Sequence, residues 1–373
     1  MTGRLAGPLD GLRVVEMAAM GPVPFCGLVL SDLGADVIRI DRPTDPATED
    51  PMSFTTVLGR GRRSVTANLA TEEGRAHALS LIDHADILLE GLRPGKMERL
   101  GLGPDTCTAR NPRLVYGRMT GFGQDGPLAN EPGHDINYLA LSGTLHAVGT
   151  DLSGPVPPLN LVADFGGGGM LLTVGILAAV HEASRSGIGQ VVDAAMVDGA
   201  ALLTASVYEL MGRGMWADQR GTNIFDSGAH FYNTYKTADG KWMAVGAVEP
   251  HFYSDLLTGL GVEATYAPQW ERDQWPTLRA KFAEIFVRRT RNEWESAFAG
   301  TNACVTPVLS LSEAPHHPHN VERSAFQTVD GTVQPSPAPR FSRTPGCTRR
   351  GTPASGKSTD RLDAIIKDWT RSS

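Results

Sequence analysis

Cysteine, lysine and long apolar runs are scarce in this sequence of 373 residues. Its four cysteines lie far apart and none forms a C-x-x-C pair, which argues against a disulfide framework and favours a reducing compartment. The N-terminus, MTGRLAGPLDGLRVVEM, lacks the apolar core of a signal peptide. The longest apolar run, 170–180, is too short to cross a bilayer. We therefore expect a cytoplasmic protein with no membrane partner.

Positive charge is also in deficit. Lys and Arg number 34 against 41 Asp and Glu, a net charge of -7. This balance argues against a nucleic-acid partner, because phosphate contacts need a basic surface. It leaves room for a small anionic ligand in a local basic pocket. Only six of the basic residues are Lys. Arg binds phosphate bidentately, although the base composition of the genome is a simpler explanation for the bias.

What the chain does contain predicts an α/β fold. Apolar residues make up 41% and charged residues 20%, as in ordinary globular proteins. Strand patterns at 12–17, 36–40, 65–69, 87–90 and 114–118 are separated by helical stretches. This order predicts a large Rossmann-like domain with a parallel sheet and helices on both faces. Ligands of such sheets lie beyond the carboxyl ends of the strands.

The remainder of the chain predicts a second, smaller domain. Helices at 135–148, 167–184 and 197–211 precede a hairpin that turns at Asp239-Gly240 and is followed by amphipathic helices. We assign 1–200 to the large domain, completed by the C-terminal segment 321–373. Residues 201–224 are predicted as a linker helix, and 225–320 as a small α+β domain.

Several short segments match known binding motifs but lack the neighbouring elements that those motifs require. GTPASGKS at 351–358 fits the P-loop pattern, but no buried strand precedes it and too few residues follow it. GFGQDG at 121–126 fits a dinucleotide motif, but Pro127 follows in place of a helix. His316, His317 and His319 stand in a turn broken by proline and predict no metal site.

Three ionisable residues stand in loops at the ends of predicted elements. His134 precedes a helix, Asp164 precedes the four glycines 166–169, and Glu249 follows an apolar strand. Each alone is more simply a helix cap, but four glycines weaken a helix and instead suggest close approach by a ligand. Together the three form a plausible acid–base set.

Basic residues recur after the predicted strands. Each alone is more simply a surface charge, but their recurrence at the ligand edge makes them candidates for binding an anion. They are Arg39, Arg42, Arg60, Arg62, Arg63, Arg93, Lys96 and Arg99.

Seven longer motifs together carry a specific resemblance across 9–342. They are LDGLRVVEM, DLGADVIRIDRP, ILLEGLRPGKMERLGLG, YGRMTGFGQDGP, GHDINYLALSG, PPLNLVADFGGGGM and GQVVDAAMVDG. The chain resembles the family III CoA-transferase (CaiB/BaiF-type) superfamily and, within it, the α-methylacyl-CoA racemases. The transferases use an Asp nucleophile that aligns with Asp135, whereas the His-Asp-Ile-Asn-Tyr signature resembles that of the racemases.

The resemblance implies roles for individual residues. In the racemases the residues matching His134 and Asp164 are the two bases, supported by those matching Glu249 and Asn160. Backbone N–H groups beside Asp135 are expected to stabilise the enolate oxygen. The residues implied in binding CoA are Arg42, Ala67, Asn68, Leu69, Ala70, Gly91, Leu92, Arg93, Arg99, Gly133, Ile136, Asn137 and Tyr138. Ala70 departs from the pattern, because many relatives have Lys there.

The implied reaction interconverts (2R)- and (2S)-2-methylacyl-CoA thioesters. It needs no metal and no other cofactor, because coenzyme A arrives as part of the acyl-CoA substrate. The resemblance also implies an interlocked homodimer in which Glu249 reaches His134 of the other chain. Two alternatives stay open: a family III CoA-transferase acting through Asp135, and a protein that only binds CoA esters. The sequence does not specify the acyl chain.

Overall fold

The predicted parallel sheet is present in the computed structural model, which describes residues 7–43, 57–150 and 152–371. The strands are β1 (Arg13–Met17), β2 (Asp36–Asp41), β3 (Arg63–Thr66), β4 (Ile87–Glu90), β5 (Val115–Thr120), β6 (Gly149–Thr150), β7 (Gly154–Pro155), β8 (Val191–Ala195), β9 (Tyr232–Lys236), β10 (Trp242–Gly246), β11 (Val305–Pro307), β12 (Phe326–Val329) and β13 (Thr332–Pro335).

The α-helices are α1 (Pro22–Asp32), α2 (Glu72–Ile82), α3 (Lys96–Arg99), α4 (Pro104–Arg110), α5 (Asp135–Leu141), α6 (Thr144–Ala147), α7 (Leu171–Ser186), α8 (Met196–Leu203), α9 (Ala205–Gly212), α10 (Pro250–Leu260), α11 (Trp275–Phe286), α12 (Arg291–Phe298), α13 (Pro318–Glu322) and α14 (Leu362–Arg371). A π-helix spans Leu161–Met170 and runs directly into α7. Short 3-10 turns occur at Ala264–Tyr266, Arg272–Gln274, Ala314–His316 and Thr359–Arg361.

The main sheet has six parallel strands in the order β3-β2-β1-β4-β5-β8. Every residue of β4 and β5 is buried, as expected when helices cover both faces of a sheet. Strand β1 pairs with β2 on one side and with β4 on the other, so the winding direction reverses between β1 and β4. A reversal of this kind opens a crevice beyond the carboxyl ends of the strands. The predicted α/β fold class is confirmed.

The chain divides into two compact units. The first contains Met1–Ser142, Leu159–Leu203 and His319–Ser373, and the second contains Gly143–Pro158 and Thr204–Pro318. Our sequence boundaries instead placed 143–158 in the large domain and 201–224 in a linker. In the second unit, β9 and β10 form the predicted hairpin, with β11 added on the other side of β10. Its core is rich in aromatic residues, including Phe231, Phe282 and Phe286.

Two helices predicted as continuous are broken. Residues 135–148 form α5 and α6 because Gly143 takes a left-handed conformation with φ of 84°. Residues 197–211 form α8 and α9, with a break at Thr204.

The helix predicted at 167–184 begins earlier, at Leu161, so Asp164 lies inside a helix rather than in the loop before it. The continuous helix Leu161–Ser186 has a mean hydropathy of 1.7 over its most apolar window and is long enough to cross a membrane. Among the described residues it is the one helix with both properties. Its Leu172 and Ile176 pack against Gly117 of β5, as in a helix that covers a sheet.

Candidate functional site

The π-helix Leu161–Met170 lies close to its neighbours through its glycines. A Cβ atom on Gly167 would lie 2.6 Å from the backbone nitrogen of Ala200 in α8. A Cβ on Gly169 would lie 2.7 Å from the carbonyl oxygen of Pro22 in α1. Both distances are too short for a real side chain. Gly167 and Gly169 therefore permit helix packing, which our interpretation of the glycines as space for a ligand did not anticipate.

Asp135 joins the starts of two helices. It is the first residue of α5, and its carboxylate oxygen Oδ2 accepts hydrogen bonds of 2.8 Å from the backbone N–H groups of both Ala163 and Asp164. These are donors of the first turn of the π-helix. Asp135 is only 4% exposed, and its second oxygen has no hydrogen-bond partner among the described residues. The carboxylate thus fixes the element that carries Asp164 to the element that follows His134.

Asp164 is half-buried in the first turn of the π-helix. The side-chain amide of Asn160 donates a hydrogen bond of 3.3 Å to its Oδ2. Burial raises the pKa of Asp164 and the nearby Asp135 raises it further, while Asn160 and His134 act in the opposite direction. A Cβ atom on Gly21, which precedes α1, would lie 3.6 Å from the same oxygen. The support of Asp164 by Asn160, which the resemblance implies, corresponds to a hydrogen bond in the structure.

His134 stands at the N-cap position of α5 with an exposed side chain. Its backbone N–H donates to Oδ1 of Asn137, which fixes the turn. His134 lowers the pKa of Asp164, because a protonated imidazole favours the ionised carboxylate. The N–H groups of Asp135 and Ile136 have no hydrogen-bond partner among the residues described. The start of α5 therefore presents free N–H donors beside an imidazole.

The turn before His134 is held by aromatic packing. Tyr138 is 5% exposed and meets Phe122 edge to face, with ring centroids 4.9 Å apart. A Cβ on Gly133 would lie 2.7 Å from the ring of Tyr138, so only glycine fits there. Burial raises the pKa of Tyr138 to about 12, and its hydroxyl stays neutral at physiological pH. Both residues shape the site, whereas Ile136 and Asn137 are exposed beside it.

Seven of the predicted CoA-binding residues belong to one edge of the sheet, and six of them line one cavity. The cavity has a volume of about 330 Å³ and lies beyond the carboxyl ends of β1, β2, β3 and β4. It is lined by Met17, Ala18, Ile40, Asp41, Arg42, Pro43, Ala67, Asn68, Leu69, Ala70, Leu92, Lys96 and Leu100. Gly91 adjoins Leu92 at the same edge.

Arg93 and Arg99 are exposed on the loop and helix after β4 but do not line the cavity. Ala18, Asp41 and Leu100 were not identified from the sequence, although Ala18 and Asp41 stand at strand ends, where ligands are expected. Lys96 was a general candidate that we did not assign to CoA.

Four of the candidate anion-binding arginines instead form ion pairs within the protein. Arg62 is fully buried and bonds to Glu16 at 3.1 Å. Arg60 and Arg63 pair with Asp32 and Asp36, and Arg39 pairs with Asp41 at 2.8 Å. Their guanidinium groups are occupied by carboxylates of β1, β2 and α1, so the prediction is wrong for these four.

Glu249 lies in the second unit, where it precedes α10 with an exposed side chain. Glu249 occupies the N-cap position of α10, as the cap interpretation predicts, but its carboxylate makes no cap hydrogen bond. The preceding backbone is held by Gln269, whose amide donates to the carbonyl oxygen of Val248 at 2.6 Å. Burial raises the pKa of the Cys304 thiol, and the charge of Glu249 raises it further.

Within the described residues, no group of three or more His, Cys, Asp or Glu is arranged to hold a metal ion. In the histidine cluster of the sequence, His317 bonds to Glu295 at 3.0 Å.

Comparisons with known proteins agree on one family. A family model described as CoA-transferase family III matches residues 9–359. The curated alpha-methylacyl-CoA racemase of Mus musculus is 50% identical over 340 residues, covering 90% of this chain and 87% of that protein. The racemase of Homo sapiens is 47% identical over 339 residues, with the same coverage of 90% and 87%.

Among solved structures, a CAIB/BAIF family protein from Brucella suis matches with a TM-score of 0.83 and 25% identity, covering 97% of this chain and 100% of that one. A protein from Mycobacterium tuberculosis, solved in an orthorhombic form, has a TM-score of 0.79 and 27% identity, covering 96% and 99%.

Asp135→Ala is expected to destabilise the protein by about 2–4 kcal/mol, because two backbone N–H groups at the start of the π-helix lose their acceptor. Urea unfolding followed by circular dichroism measures this loss. Asp135→Asn keeps an oxygen acceptor and should lose less than half as much. Equal midpoints for Asp135→Ala and the unchanged protein would contradict the assigned contact.

Proposed function

Because this chain belongs to CoA-transferase family III, we propose that it acts as an α-methylacyl-CoA racemase, one of the activities found among its curated relatives. The observation that carries the proposal is the pairing of two proton-transfer groups. His134 directly precedes Asp135, whose carboxylate binds the backbone N–H of Asp164 at 2.8 Å, and each group lies at the start of a helix.

Inversion at the α-carbon of a thioester requires a proton to leave one face and another to arrive on the opposite face. One base removes the α-proton, and the electrons of the C–H bond move into the thioester carbonyl to give an enolate. The second group, protonated at the outset, then delivers its proton to the other face as the carbonyl re-forms. After one turnover the two groups have exchanged protonation states. We assign these roles to His134 and Asp164, which take opposite roles in the two directions.

The environment of Asp164 suits a group that must both accept and donate a proton. Burial raises the pKa of Asp164, which favours the protonated form that can donate a proton. The hydrogen bond from Asn160 lowers the pKa and favours the ionised form that can accept one. The free N–H groups of Asp135 and Ile136 are the proposed donors to the enolate oxygen.

The cavity beyond β1, β2, β3 and β4 is the proposed site for the nucleotide end of the acyl-CoA. We assign Gly91, Arg93 and Arg99 to contacts with the part of coenzyme A that links the nucleotide to the reacting thioester. Gly133 and Tyr138 shape the turn at which the thioester arrives. In this proposal coenzyme A enters with the substrate, and proton transfer requires no metal or other cofactor.

A CoA-transferase acting through Asp135 is the weaker proposal. A nucleophilic carboxylate must reach the thioester carbonyl, whereas Asp135 is 4% exposed and accepts two backbone hydrogen bonds. The same contacts explain Asp135 as a positioning residue for both bases.

We also propose that the protein works as a homodimer in which Glu249 of one subunit supports His134 of the other. Helix α9 has no buried residue and exposes Tyr208 and Met211, an arrangement that a second subunit would cover. The Glu249 carboxylate makes no cap hydrogen bond in its own unit, which leaves it available to orient an imidazole.

The two-base assignment is tested by isotope exchange in deuterated water with pure (2R)- and (2S)-2-methylacyl-CoA. The unchanged protein should racemise both substrates with α-deuteration. His134→Ala and Asp164→Asn should each lower racemisation by roughly 10²–10⁴-fold. Each should still exchange the α-proton of one enantiomer, and the two variants should spare opposite enantiomers. Loss of exchange from both enantiomers in both variants would contradict separate bases, and absence of racemisation in the unchanged protein would overturn the function.

Asn160→Ala is expected to move the acid limb of the kcat/KM profile to higher pH. The lost hydrogen bond favours the ionised carboxylate, so its removal raises the pKa of Asp164. In the active enzyme His134 and Asp164 together carry one proton. The acid limb marks the pH at which the pair binds a second proton. Both reaction directions should show the same displacement, because their ratio is an equilibrium constant that does not vary with pH. An unmoved limb would show that Asn160 does not tune Asp164.

Subunit mixing tests the dimer proposal. Co-refolded His134→Ala and Glu249→Ala chains should recover about a quarter of the unchanged activity, because half of the dimers are mixed and each mixed dimer has one intact site. The matched control combines His134→Ala with Asp164→Asn. Both residues lie in the first unit of one chain, so their mixed dimer has no intact site and should stay inactive. Absence of recovery in the first mixture would refute a shared site.

A further inference from the structure

We propose that Lys96 binds a phosphate of the nucleotide half of coenzyme A. The inference rests on the proposed function only for the identity of the ligand. Lys96 lines the cavity beyond the main sheet, where the other charged lining residues are Asp41 and Arg42. The assignment follows from the charge of the cavity, the anchoring of α3 and the character of the remaining wall.

The cavity carries an excess of positive charge. Asp41 is already neutralised by Arg39, whose guanidinium donates two hydrogen bonds of 2.8 and 3.0 Å to its carboxylate, and it also accepts from the hydroxyl of Ser64. Neither Arg42 nor Lys96 forms an ion pair with any of the described residues. Two exposed cations therefore face a cavity whose one acid is satisfied, a balance suited to an anion.

Lys96 is held in place by the other residues of α3. Met97 is fully buried in the core beside it. Glu98 forms an ion pair of 2.9 Å with Arg118, which also binds the buried Glu90 at 3.0 Å. These contacts fasten α3 to the sheet. Lys96 and Leu100 lie one turn apart, so both line the cavity on the same side of the helix.

The remaining wall is mostly apolar. Ile40, Leu69, Leu92 and Leu100 provide surface for a flat aromatic ring. An adenine ring would pack against these apolar side chains, and the phosphates of the same nucleotide would lie near the positive charges of Arg42 and Lys96. An ammonium group suits this role because it binds phosphate as a compact point charge.

The test measures binding without turnover, by isothermal titration with CoA, dephospho-CoA and pantetheine. Lys96→Ala should weaken CoA binding by about tenfold, and the difference should shrink in high salt. Lys96→Arg should restore most of the affinity. Pantetheine, which lacks the nucleotide, should bind equally to all variants. Lys367→Ala, which removes an equal charge from an exposed position on α14, is the matched control and should bind CoA normally.

The nucleotide ligands distinguish the two phosphate positions. If the effect of Lys96→Ala disappears with dephospho-CoA, the lysine contacts the 3′-phosphate, and if it persists, the lysine contacts the diphosphate. Unchanged CoA affinity in Lys96→Ala, or an equal loss with pantetheine, would overturn the proposal. Lysine-dependent CoA binding by a protein that does not racemise would instead refute the proposed reaction alone.

Discussion

The contact between the Asp135 carboxylate and the first turn of the π-helix joins the two segments that carry the proposed bases. Asp135 opens α5 directly after His134, and it binds the backbone N–H groups of Ala163 and Asp164. The two proposed proton-transfer groups therefore belong to helix starts that share one carboxylate. A reaction in which one carbon must meet a base on each face depends on such fixed separation, because small displacements of reacting groups are costly. Burial of Asp135 protects these hydrogen bonds from competition by water.

The π-helix and its glycines explain how Asp164 acquires its environment. Gly167 allows the backbone of α8 to approach, and Gly169 allows α1 to approach. Asp164 lies half-buried one turn before these contacts, and burial is the largest cause of its raised pKa. Asn160 offsets part of that effect through its hydrogen bond. The same segment thus combines close packing with the proton affinity that the proposed reaction needs, which is consistent with the frequent occurrence of π-helical turns at functional sites.

The fold could be predicted from the sequence more reliably than the contacts between side chains. Strands such as β4 were evident because a buried parallel strand is continuously apolar. The π-helix was missed because the apolar stretch before Asp164 resembles a strand or loop and the glycines disfavour an ordinary helix. The roles of Arg60 and Arg62 were wrong because their partners, Asp32 and Glu16, lie 28 and 46 residues earlier in the chain. Composition cannot reveal which carboxylate a distant guanidinium will meet.

The ion pairing of these arginines also affects how a chain of net charge -7 binds an anion. Arg39, Arg60 and Arg62 are paired with carboxylates, so they contribute little field beyond their own contacts. The pairing of Arg39 neutralises Asp41 at the cavity wall, which would otherwise repel a phosphate. Charges on distant surfaces are screened over about 8 Å at physiological ionic strength. Among the described residues, the sign of the cavity is therefore decided by Arg42 and Lys96, the cations at its wall that form no ion pair there, and the total charge of the chain has little influence.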